Sequence, residues 1–82
     1  MNGGTIEPKV RSIIAKLAKV EPGFPSDADI FRVVGVKSAS ALEVLLSLEE
    51  EFAVTIPDEA FGEARTVDAL VALVVSLGGP IE

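Results

Sequence analysis

The chain has 82 residues, 7 basic and 13 acidic side chains for a formal charge of −6, a 49% hydrophobic composition, and no Cys, His, Trp or Tyr. That length allows one domain, residues 1–82, and a half-apolar composition folds rather than staying disordered. Without Cys and His there is no disulfide, thiolate nucleophile, ordinary zinc site or His-based triad, so chemistry would fall to carboxylates, Lys and Ser.

The first predicted helix runs from Thr5 to about Lys19, with Ile6, Val10, Ile13, Ile14 and Leu17 at spacings of three and four. Thr5 is placed to be its N-cap, Pro8 stays within the first turn, and Arg11, Lys16 and Lys19 fall on the other face. A long connection then carries the apolar cluster Ile30, Phe31, Val33, Val34 and Val36. A loop of that length in a small domain is functional or packed on the core, and residues 28–33 are expected to make one helical turn. The second helix is expected over residues 38–51, with Ser38 as N-cap or first residue, Leu42, Leu45, Leu48 and Phe52 inward, and Glu43, Glu49 and Glu50 outward or at the margin. After a brief extended stretch at 53–56, Pro57-Asp58-Glu59 starts a short helix that Gly62 is expected to end. Thr66 caps a last helix built on Val67, Leu70, Val71, Val74 and Leu77, which stops at Gly78-Gly79-Pro80. The fold class is therefore all-α: a small four-helix bundle, three main helices plus one short one, with a long first loop.

Charge is unevenly distributed. Residues 1–37 hold six bases and four acids, a net +2, whereas residues 38–68 hold eight acids against the single base Arg65, a net −7. Such a patch steers a basic partner surface toward it, although a charge run by itself often only solvates a helix. The acid excess disfavours nucleic acid, whose phosphates are met by Lys and Arg. No metal is expected, because EF-hand spacing is missing and Glu49, Glu50 and Glu51 point in different directions round a helix. The longest unbroken apolar run, residues 69–75, falls far short of the roughly 18 residues of a membrane span. Residues 1–4 show no basic region leading into an apolar stretch, so a cytoplasmic location is expected, and the chain is expected to be a monomer. A carboxylate enzyme is not expected either, since so small a bundle leaves little room for two converging acids.

The stretch from Gly35 through Lys37-Ser38-Ala39 to Leu48-Glu49-Glu50-Glu51-Phe52, followed by Ile56-Pro57-Asp58-Glu59, resembles the acyl carrier protein family. In that family a Gly-x-Asp-Ser-Leu motif opens the second helix and a Glu follows the serine by five residues. Aligned without gaps on residues 48–52, the family's modified serine falls on Ser38 and its helix-two Glu on Glu43, and the likeness spans essentially the whole chain. Lys37 and Ala39 stand where the family most often has Asp and Leu, positions that meet the phosphopantetheinyl transferase and the acyl-chain enzymes. The resemblance thus implies a specialised freestanding carrier, not an enzyme, with 4'-phosphopantetheine from coenzyme A on Ser38 and an acyl group held as a thioester for fatty acid or specialised lipid biosynthesis. It also implies a recognition face of Lys37, Leu42, Glu43, Leu46, Glu49 and Glu50 toward the transferase and toward acyl-transferring or ketosynthase-type enzymes with basic docking surfaces. An interior of Val44, Leu45, Leu48, Ile56, Phe61, Leu70 and Val74 would open to shelter part of the acyl chain. Within the family a polyketide or amino-acyl carrier is the alternative. From the residues alone, Ser38 reads more readily as a plain N-cap, Ser40 is the rival attachment position, and an unmodified acidic helical interaction module stays open.

Overall fold

A computed structural model describes residues 6–78. Apolar side chains recurring at three and four residues give α1 (Ile6–Ala18), α2 (Ala41–Phe52), α3 (Asp58–Glu63) and α4 (Val67–Ser76), and among the described residues there is no strand. Helix α1 lies against both α2 and α4, and α3 packs on α4. The four helices and the first loop enclose one core: Ile6, Val10 and Ile14 of α1 meet Val44, Leu48 and Phe52 of α2 and Val67, Leu70 and Val74 of α4. Ile13 and Leu17 pack on its edge. The expected cap Thr5 and the stop residues Gly79 and Pro80 lie outside the described residues. Thr66 does cap α4, its Oγ1 accepting the Ala69 amide at 3.0 Å, and Gly78 leaves the helix at φ +92°.

Four expectations are corrected. The helical turn in the first loop is not at 28–33 but at Ile30–Val34, and it is a wide turn whose carbonyls accept from five residues on: Gly35 N–H donates to Ile30 at 3.0 Å and Val34 N–H to Asp29 at 3.1 Å. Asp29 seeds it by accepting the Phe31 and Arg32 amides on Oδ1, at 2.8 and 2.9 Å. Gly62 does not end α3, which runs on to Glu63. Leu42 is not inward: the buried face of α2 is Val44, Leu45, Leu48 and Phe52, and Leu42 falls roughly 100° round the helix from its centre. Arg11, assigned to the outer face of α1, reaches under the loop instead. Its guanidinium donates to the Pro22 carbonyl at 2.9 Å and to that of Phe24, stacks 5.0 Å over the Phe24 ring, and is held by Glu7 at 2.6 Å.

The long loop is thereby part of the core. Ile30 is fully buried and Val34 and Val36 nearly so. Its backbone is stitched to the α3–α4 junction, where Ile30 N–H donates to the Arg65 carbonyl at 2.8 Å and Asp68 N–H to the Ser26 carbonyl at 3.1 Å.

Candidate functional site

The chain enters α2 through a tight turn at Ser38–Ser40, closed by Ser40 N–H donating to the Lys37 carbonyl at 2.8 Å. Ser38 opens that turn and is exposed, and Lys37 before it is extended and exposed as well. The expected N-cap bond from Ser38 is not made. Among the described residues no hydrogen bond engages its hydroxyl, and Ser40, which holds the capping position of α2, makes no side-chain cap either. Ser40 is only half-exposed. Of the two serines, Ser38 is the more exposed.

Beside Ser38 lies a cleft of about 330 Å³ lined by Phe31, Ala41, Phe61, Gly62 and Arg65. Each wall has a traceable origin. Phe31 belongs to the wide turn that Asp29 nucleates and Ile30 anchors; Phe61 and Gly62 come from α3; Arg65 sits between α3 and α4. Arg65 ties the walls together. Its Nε donates to Asp29 Oδ2 at 2.8 Å, its Nη2 lies 3.4 Å from Oδ1, and its guanidinium stacks 4.9 Å over Phe31. The Arg65 hydrogen bond, followed by the Arg32 amide, holds the Asp29 carboxyl well below its usual range, at about 2.

The six expected recognition residues do not form one uniform patch. Leu42 and Leu46, one turn apart, are 62% and 48% exposed. Glu43, Leu46 and Glu50 follow at spacings of three and four, so they share the outward face with Leu42. Among the described residues Glu43 and Glu50 enter no ion pair. Glu49 departs from this set: it is half-buried, and its Oε2 accepts the Ile56 amide at 2.8 Å, bracing the extended segment that leaves α2. Glu51, next to it, pairs with Lys9 of α1 at 3.0 Å. The acid run 49–51 therefore divides into a brace, a solvent-facing charge and an interhelical pair. Lys37 flanks Ser38 at the head of α2.

Sequence reasoning missed Asp29, Phe31 and Arg65 as parts of the Ser38 surroundings. The one available signal was that Arg65 is the sole base within residues 38–68. Among the described residues there is no cluster of acids that could hold a metal ion and no helix long and apolar enough to cross a membrane.

The donor set suits a phosphopantetheine ester: an accessible hydroxyl without an internal partner, an adjoining cleft with two aromatic walls, and two cationic side chains beside it, Lys37 and Arg65. The phosphopantetheine attachment site family model matches residues 8–74. An acyl carrier protein of Akkermansia muciniphila is 32% identical over 80 residues, covering 96% of this chain and all of that protein. Another, from Thermosynechococcus vestitus, is 35% identical over 68 residues, covering 82% of this chain and 84% of that protein. In fold the chain matches a structure titled mupirocin didomain ACP, with a TM-score of 0.80 at 16% identity; the whole chain aligns, spanning 45% of the didomain. The chain belongs to the acyl carrier protein family, carriers rather than enzymes, whose prosthetic group is 4'-phosphopantetheine.

Proposed function

We propose that Ser38 is the attachment point and that the chain, one domain over residues 1–82, works as a cytoplasmic monomer carrying acyl intermediates in fatty acid or specialised lipid biosynthesis. The observation that carries this reading is the Ser38 hydroxyl, exposed and unengaged at the head of α2 beside the Phe31–Phe61 cleft. Ser38 Oγ forms the phosphate ester bond while the pyrophosphate link of coenzyme A breaks and 3',5'-bisphosphoadenosine departs, the hydroxyl proton passing to a base on the transferase. No His on the carrier is needed, because the transferase supplies the base for this step and the serine serves only as an anchor once the ester is made. When bound, the arm supplies the thiol that this Cys-free chain lacks and holds the acyl group as a thioester.

Partner docking falls to the outward face of α2. Leu42 and Leu46 offer an apolar centre, and Glu43 and Glu50 beside them steer basic surfaces of the transferase and of acyl-transferring or ketosynthase-type enzymes. Lys37 adds a cation next to the reacting hydroxyl, and Glu49 contributes by fixing the end of α2. The test is intact mass after incubation with coenzyme A and a broad-specificity phosphopantetheinyl transferase. One added phosphopantetheinyl group, lost in Ser38→Ala and kept in Ser40→Ala, is the expected result. No gain with several transferases would sink the proposal and favour an unmodified interaction module.

A further inference from the structure

Resting on the assignment of Ser38, we propose that Arg65 seats the phosphodiester of the arm at the mouth of the adjoining cleft, through guanidinium N–H groups that Asp29 leaves over. Ser38 and Arg65 line the same cleft, from the head of α2 and from the α3–α4 junction. A guanidinium has five N–H donors in a rigid plane. Asp29 takes Nε at 2.8 Å and lies 3.4 Å from Nη2, while among the described residues Nη1 donates to nothing. The side chain is 44% exposed, so its outer edge is open to a second anion.

Arg65 is also held in position before any anion arrives. The Phe31 ring under the guanidinium and the Asp29 carboxylate on its edge restrict the rotamers that a surface arginine would otherwise explore. Charge then selects it. A phosphodiester adds one negative charge to a chain already at −6, and Arg65 is the single base among eight acids in residues 38–68. Lys37, a flexible point charge next to Ser38 in sequence, assists without the planar fork that makes arginine a phosphate ligand. Arg65 is thus a binding residue for the anchored end of the arm, and its pair with Asp29 positions it.

The experiment compares amide spectra of ¹⁵N-labelled protein before and after conversion by coenzyme A and transferase, with conversion checked by mass. In the wild type, the Phe31 and Gly62 amides shift on conversion, together with residues 37–41. Arg65→Gln loses the Phe31 and Gly62 shifts while still converting. Asp29→Asn keeps the guanidinium and an Oδ1 acceptor for the Phe31 and Arg32 amides but loses the charge that positions Arg65, and so weakens these shifts without abolishing them. Shifts confined to residues 37–41 in the wild type, equal shifts in Arg65→Gln, or loss of the shifts in both variants would overturn the seat. Failure to gain mass overturns the Ser38 assignment itself and the seat with it, whereas mass gain without the distal shifts overturns the seat alone.

Discussion

Replacing Ile30 by alanine tests whether the first loop is part of the cooperative fold that shapes the cleft. Ile30 is fully buried, its amide donates to the Arg65 carbonyl, and the next residue is the Phe31 wall. The substitution deletes three buried carbons; at about 0.8 kcal/mol each, the transfer part is about 2.4 kcal/mol. The cavity left behind raises it to about 3 kcal/mol, inside the range of about 2–5 kcal/mol for such truncations. A domain of this length is stable by about 4–12 kcal/mol, so the loss is a quarter of the total or more. Val33 sits in the same turn but is 68% exposed, and Val33→Ala should stay within about 0.5 kcal/mol. Urea unfolding followed by far-ultraviolet circular dichroism reads both, since the chain has no Trp or Tyr for a fluorescence signal. In a thermal scan the Ile30→Ala loss corresponds to about 12–24 °C. A cost below about 1 kcal/mol at unchanged m-value would refute the reasoning, because the loop would then open without disturbing the helices.

Three further outcomes are expected. Asp29 has its folded pKa lowered to about 2, first by the Arg65 hydrogen bond, so it stabilises the fold above its unfolded value near 3.8, and that contribution fades as pH falls through about 2; the urea midpoint of the wild type should therefore approach that of Asp29→Asn between about pH 4 and pH 2, and a constant gap there would contradict the pairing. Gly35 closes the wide turn at φ +104° with open space around it, so Gly35→Ala should cost about 1–2 kcal/mol from backbone strain alone, whereas Gly62→Ala, in α3 with nothing within 4 Å of the added Cβ, should gain about 0.5–1 kcal/mol; opposite signs in the same denaturation assay are the check. Charge reversal at Glu43 and Glu50 should weaken transferase binding, measured by titration calorimetry, more at low salt than at high, and equal binding at low salt would count against the acidic face.

Much of the candidate site was legible because its signals are local. The five-residue spacing from Ser38 to Glu43 is read through the resemblance to the acyl carrier protein family, and the acid run near the end of α2 lies along one helix, where 3.6 residues per turn fix which side chains share a face. What each acid does was not legible: Glu49 meets Ile56 seven residues on and Glu51 meets Lys9 of α1, contacts that depend on where the chain goes after α2 and which helix lies alongside it. Spacing to Leu45 points Leu42 inward, yet the buried stripe is centred on Val44 and Leu48, because the neighbours of α2 and not its own periodicity decide which arc is covered.

Sequence by itself determined the four helices, the Thr66 cap, most of the core and the charge contrast between the two halves, while Ser38 was singled out through the family resemblance. Tertiary structure decided how the first loop joins the core, through Ile30, Val34 and Val36, and it alone showed that the cleft beside Ser38 has an arginine at its edge. Asp29 and Arg65 are 36 positions apart, and no rule of helical period, capping or turn chemistry links residues at that separation. They meet only because burial of Ile30 carries the loop to the α3–α4 junction, where its amide finds the Arg65 carbonyl.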